Sequence, residues 1–521
     1  MGNSGKHEKT VVNKCLIMNR HWQPKLTLLS LIALMIVLLL FWWPTRQIPY
    51  WWDSAGLIVN GANEQLKHGF WPIFVGLPGT YGHLPFFSFI LAFVWKIFGE
   101  SLLVSHLVNL FWTALLFIGT FKLTKAIYPR PIYTELLAFL TGLLLLFTPL
   151  FYAQLGIIYL EIPITALAVW TVYFFLMKKQ RSYLLTATLM IMIKEVSVVV
   201  IIALLLSDLA DALPQILKLK KRYPFSHLIK QLFIWSLPMI IIPIWFAYHK
   251  ARAGYWFSHP GTPPRRFNLS MIFQQLQLIA VFFFLQQGRF LLTIAGFISL
   301  EQVLTHDKLK RRIFQKKLLP FIFLPICAFL LYAATDFLHR YVIIALPFFY
   351  ILVFYCLLVI LEKQKVWVRS IVITPLMVGS LTLFIFSWDN HRQITSWHFP
   401  PLEDNLEYLD VIDIGKQAAY FLEKNYPQAT VLTDFPADYM LAQPEQHYVS
   451  KPLKVVNCRQ YTNQTHYDLI LFHYLSPGQT ICAQVIAAHS DNLQVLQVFA
   501  KNGKSLVLLG KKLEVVEIKL P

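Results

Sequence analysis

IPYWWDSAGLIVNGANEQLKHGFWPIFVGLPGTYGHLPFF, residues 48–87, follows the first apolar run of the chain and is too polar to lie in hydrocarbon. Asp53 stands near its start behind Trp51 and Trp52, and the stretch closes on Tyr81, Gly82, His83, Leu84 and Pro85. Around it the chain is mostly membrane-like. Of 521 residues 56% are hydrophobic and 14% charged, with a mean hydropathy of +0.54, where a soluble protein has about 25% charged residues. That composition points to a polytopic membrane protein.

A membrane helix takes about 20 apolar residues. The clear candidates are 26–43, 101–121, 134–157, 161–177, 231–248, 283–303, 318–334, 341–361 and 369–387, with two shorter pieces, 182–193 and 196–212, on either side of Lys194. No small-residue cleavage signal follows the basic N-terminus and its apolar run, so 26–43 reads as an uncleaved first span. The basic residues fix the sides, because Lys and Arg collect in cytoplasmic loops. Segments assigned inside carry 25 Lys and Arg, against nine in the outer loops before residue 388. The net charge of +19 is thus a topology signal. It calls for no nucleic acid partner, and a basic inner face suits anionic membrane lipids.

The same bookkeeping decides PFFSFILAFVWKIF, residues 85–98. If this segment crossed, the basic cluster Lys122, Lys125 and Arg130 would fall outside, so it is expected as an interfacial helix. The expected fold is an all-α polytopic domain of about 11 transmembrane helices with interfacial helices, followed by a small C-terminal α/β extracytoplasmic domain. The divisions are a cytoplasmic tail, 1–25, a transmembrane catalytic domain, 26–387, with outer loops 44–100 and 248–282, and an outer domain, 388–521. In that last part Ala429–Leu432, Asp468–Phe472 and Ser505–Leu509 read as strands and Val411–Lys424 as a helix. Cys458 and Cys482 lie there and could pair in an oxidising compartment.

Ionisable groups at membrane depth are costly and tend to mark function. Asp53 reads either as a helix cap before Ser54 or as a general base. Glu161, with Pro163 two positions on, suits the first turn of a helix and its dipole, yet it stands in an apolar run on the same side as Asp53. Lys194 and Glu195 form either a self-neutralised pair at a helix break or an outward cation for phosphate. Arg340 in HRYVIIALPFF reads as a snorkelling residue or, with His339 and Tyr341, as an anion-binding group, since Arg offers bidentate geometry.

Together these features resemble the GT-C class of integral membrane glycosyltransferases, in particular the bacterial branch related to protein O-mannosyltransferases and aminoarabinose lipid A transferases. The parts that carry the resemblance run from residue 26 to about 361. They are Asp53 in the first outer loop, TYGHLPFFSFILAFVWKIFG, Glu161 opening a later span, the lysine of IMIKEV, and HRYVIIALPFF. Three positions differ from the common pattern. Ser54 stands where a second acid is frequent, Glu161 where Asp is usual, and Glu195 where Gly follows the lysine.

The resemblance implies transfer of a sugar from a polyprenyl-phosphate donor to a lipid, glycan or protein acceptor at the outer face of the bacterial cytoplasmic (inner) membrane, with inversion. It implies Asp53 as base with Glu161 beside it, Lys194, Arg340 and His339 on the donor phosphate, and His83, Tyr81 and Trp52 shaping the substrate site. No cofactor is demanded by spacing; a divalent metal is compatible with His83, Glu161, His249 and His259 if the loops converge. The competing readings are a transporter or lipid flippase, and a non-catalytic scaffold of the same fold. Convergence of Asp53, Glu161, Lys194 and Arg340 on one cavity is the expectation that separates the enzyme from both.

Overall fold

The computed structural model describes residues 25–71, 84–128, 131–217, 225–256, 268–305, 317–335, 338–362, 364–389, 403–462, 464–473 and 481–511. Among them six helices are long and apolar enough to cross a bilayer: Lys25–Gln47, Leu102–Ile127, Glu195–Leu213, Leu228–Ala253, His339–Leu361 and Val366–Phe386. Their outward faces carry large apolar side chains such as Leu29, Leu40, Phe111, Ile371 and Phe386. A surface of that kind is unstable in water and stable against lipid tails, and the protein is integral to a membrane.

Several spans read from the sequence as single elements are broken. The run 134–157 bends by 73° between Thr134–Phe147 and Pro149–Leu155. Pro149 disfavours helical geometry at the preceding residue, and Thr148 accordingly sits at φ −57°, ψ 122°. The apolar helix Leu269–Phe284 falls mostly in the stretch expected as outer loop 248–282, and a short turn at Gln286–Gly288 separates it from Phe290–Thr305. Gln287 there has φ 54° and Gly288 φ 81°, a left-handed pair that ends one helix and starts the next.

Phe86–Phe98 is a helix of 13 residues that begins after Pro85 and stops at Gly99, φ 84°. At 1.5 Å per residue it is about 20 Å long, short of the ~30 Å hydrocarbon core. It packs on Asn60–His68 and on Leu102–Ile127, and Trp95 Nε1 donates to Ser105 Oγ at 2.9 Å.

Beyond the membrane helices a mixed five-stranded sheet forms in the order β2-β1-β3-β5-β4. Its strands are β1 (Thr430–Thr433), β2 (Lys454–Asn457), β3 (Leu469–His473), β4 (Leu493–Lys501) and β5 (Lys504–Lys511). β1 runs parallel to β2 and β3, while β5 is antiparallel to both β3 and β4. Helix Tyr408–Asn425 lies against β4 and β5, and Cys458 is disulfide-bonded to Cys482.

This region rests on the segment that follows the first membrane helix. Tyr448 Oη donates to the Tyr50 carbonyl at 3.2 Å, and the Trp52 and Phe435 rings meet edge to face at 5.2 Å. Gly56 faces Phe435 so closely that a β-carbon there would lie 2.6 Å from the ring. Only a residue without one permits that approach.

Candidate active site

Four chain segments bring their ends together beneath the sheet. In the first, a tight turn at Trp51–Gly56 leads into Ser54–Val59 and then Asn60–His68. Trp52 takes a left-handed φ of 51°, unfavourable for a bulky residue, and its ring is held by Trp51 and Phe435. Asp53 makes no side-chain capping bond to the helix it precedes. The capping reading therefore does not describe it; its carboxylate pairs with Arg340 Nη2 instead. Ser54 is fully buried, and its hydroxyl has no hydrogen-bond partner among the described residues. An ionised acid at 54 would face the protein interior.

The second segment is the turn after Pro149–Leu155. Asn109 Nδ2 donates to the carbonyls of Gln154, Leu155 and Ile157 at 3.2, 2.9 and 3.1 Å, satisfying a helix end that the bend leaves open. Gly156 packs against Tyr408, whose hydroxyl would lie 2.3 Å from a β-carbon there. The chain then presents Tyr159 and starts a new helix at Glu161.

The third is the break at Lys194, where Gln180–Ile193 ends and the backbone becomes extended at φ −157°, ψ 122°. Lys194 Nζ reaches Glu161 Oε1 at 3.1 Å and lies 3.9 Å from the centre of the Tyr341 ring. The fourth is the turn His339–Ala345 that precedes Leu346–Leu361. Arg340 is 6% exposed, which excludes the snorkelling reading. Its Nη2 binds Asp53, its Nη1 binds Glu403, and its Nε lies 3.5 Å from Glu161 Oε1.

Asp53, Glu161, Lys194 and Arg340 line one cleft. Tyr159, Tyr341, Leu57, Leu84, Phe87 and Ser88 complete much of its wall. With the acids ionised, Asp53, Glu161 and Glu403 set three negative charges against the two positive ones of Arg340 and Lys194. Such a group can hold an anion on its cations and take a proton on an adjacent carboxylate.

Two expected residues lie elsewhere. His339 does not line the cleft. Its Nδ1 binds Asp404 and its ring stacks on Phe282 at 4.0 Å, so the imidazole is committed to holding the turn. Trp52 is likewise taken up by Phe435 and is not a cleft residue. Tyr81, His83 and His259 lie outside the described residues. Among the described residues no group of three His, Cys, Asp or Glu side chains is placed to hold a metal ion.

Tyr159 and Glu403 were not singled out in the sequence. Tyr159 could have been found as the polar neighbour of Glu161. Glu403 gives no such sign, being one acid among many after residue 388. Burial pushes the carboxyls of Glu403 and Asp404 upward, and the adjacent Arg340 and His339 pull each back down.

This arrangement of broken membrane helices capped by a mixed sheet is the fold of the GT-C class of integral membrane glycosyltransferases. Within it, residues 82–242 match the family described as dolichyl-phosphate-mannose-protein mannosyltransferase. ArnT from Cupriavidus metallidurans superposes in its apo state with a TM-score of 0.57 at 14% identity, covering 92% of this chain and 97% of that one. The same protein bound to undecaprenyl phosphate gives 0.54 at 13% identity with the same coverage. No curated protein matches the chain in sequence.

Proposed function

We propose that the chain moves a sugar from a polyprenyl-phosphate donor to a lipid, glycan or protein acceptor at the outer face of the cytoplasmic membrane. The observation that carries this reading is the convergence of Asp53, Glu161, Lys194 and Arg340 on one cleft. A structure of similar fold bound to undecaprenyl phosphate supports a lipid phosphate as the donor's leaving group.

In the proposed reaction the acceptor hydroxyl attacks the anomeric carbon as the bond from that carbon to the phosphate oxygen breaks. Asp53 takes the hydroxyl proton, a role worth roughly 10²- to 10⁴-fold. Arg340 and Lys194 offset the charge that develops on the departing lipid phosphate, and Glu161 holds both cations in place. Displacement in one step inverts the anomeric configuration.

The charge asymmetry of the sequence supports eleven crossings, an inner N-terminus and an outer C-terminal sheet region. Phe86–Phe98 then lies along the outer interface, with Lys96 near the headgroups. The test is transfer in membranes given a labelled polyprenyl-phosphate sugar. Wild-type membranes are expected to label an acceptor, with inverted product, while Asp53→Asn membranes are not; absence of any transfer by the wild type across a panel of such donors overturns the reading.

A further inference from the structure

Glu403 reaches the site from the C-terminal part of the chain and binds Arg340 without itself lining the cleft. One carboxylate oxygen binds Arg340 Nη1, and the other accepts from the Tyr159 hydroxyl at 2.5 Å. Its carbonyl accepts from Gln154 Nε2 at 3.3 Å. The Arg340 guanidinium carbon stands 4.5 Å from the centre of the Tyr159 ring, so Glu403 and Tyr159 brace it together.

The next residue repeats the attachment. Asp404 binds His339 through its side chain, and its carbonyl accepts from Gln287 Nε2 at 2.7 Å. Gln287 in turn accepts from Arg289 Nη1 at 2.8 Å, while Arg289 Nε donates to the Phe283 carbonyl, also at 2.8 Å. Two consecutive acids thus fasten to two consecutive residues, His339 and Arg340, that open a membrane helix.

An unbraced arginine at this position has many rotamers and carboxylates on its cleft side to turn toward. A guanidinium fixed by Glu403 keeps Nη2 on Asp53 and Nε toward Glu161, both lining residues of the cleft, so that the fork is preset for a phosphate. We infer that Glu403 is a positioning residue for donor-phosphate recognition, supplied by the C-terminal region and acting through Arg340. The inference rests on the donor reading proposed above, and its test separates the two.

The experiment measures binding of undecaprenyl phosphate to the purified full-length protein in detergent, together with donor and acceptor KM in the transfer assay. Glu403→Gln keeps the shape but loses the charged hydrogen bond. It is expected to weaken undecaprenyl phosphate binding and raise donor KM roughly 10- to 100-fold, with acceptor KM unchanged. Glu403→Asp, which keeps the charge but is too short to reach both Arg340 and Tyr159, should fall between wild type and Glu403→Gln. Equal affinity in wild type and Glu403→Gln, or equal rises in donor and acceptor KM, overturns the inference and leaves the donor reading standing. Failure of the wild type to bind undecaprenyl phosphate overturns both.

Discussion

Arg340 and Lys501 each bind more than one carboxylate, and they do so in opposite surroundings. Arg340 is 6% exposed and faces Asp53, Glu161 and Glu403 beneath the sheet. The Lys501 side chain, in the sheet region, is 41% exposed and pairs with Asp410 and Asp413. One stretch of chain serves both clusters, since Glu403 is 16% exposed beside Arg340 while Asp413, ten residues on, is 47% exposed beside Lys501. The charges are alike, but the solvent differs. In water a pair of this kind contributes about 0–1 kcal/mol; in the interior, removal of one partner strands the others at a cost of roughly 3–5 kcal/mol.

The largest expected effect lies in the inner cluster. Asp53→Asn should lower sugar transfer roughly 10²- to 10⁴-fold; a fully active variant would remove Asp53 from the base position. Next, Arg340→Ala leaves buried carboxylates uncompensated and should destabilise the protein by about 3–5 kcal/mol, read as a lowered unfolding midpoint in detergent. A midpoint equal to wild type would mean that the inner cluster is as well hydrated as the outer one. Glu161→Gln removes one charged acceptor from Lys194 and should cost about 1.5–3 kcal/mol in transition-state stabilisation, seen as a fall in kcat/KM with insertion intact. Lys501→Ala is the control at the small end: at most about 1 kcal/mol of stability, lost equally well by adding salt, and no change in transfer. A large activity loss there would erase the distinction between the clusters.

The sequence made some of this legible for identifiable reasons. Long apolar runs and asymmetric basic clusters report the solvent each segment meets, so membrane helices stand out without knowledge of their packing. The break at Lys194 was visible because a cation interrupts an apolar run, and Glu161 and Arg340 for the same reason. Strand-like runs at Ala429–Leu432, Asp468–Phe472 and Ser505–Leu509 overlap β1, β3 and β5. Other features depend on contacts between distant residues. The bend at Thr148 sits inside a run that is apolar on both sides, so hydropathy passes over it. Leu269–Phe284 borders another apolar helix across a turn of three residues, Gln286–Gly288, and no charge marks the turn until Arg289. His339 looked like an anion ligand beside Arg340 until Asp404, 65 positions away, proved to be its partner. Glu403 is recognisable only from what it touches.

Phe435 lying on Gly56 has an evolutionary consequence. A side chain as small as alanine at 56 would place its β-carbon 2.6 Å from that ring, so the ring would have to shrink, rotate or withdraw. The two positions lie in separate parts of the chain, and neither can drift freely while the other stays fixed. Among related sequences, residues larger than glycine at 56 should therefore be accompanied by smaller residues at 435, and the segment around Gly56 and the sheet should carry an inherited record of mutual accommodation.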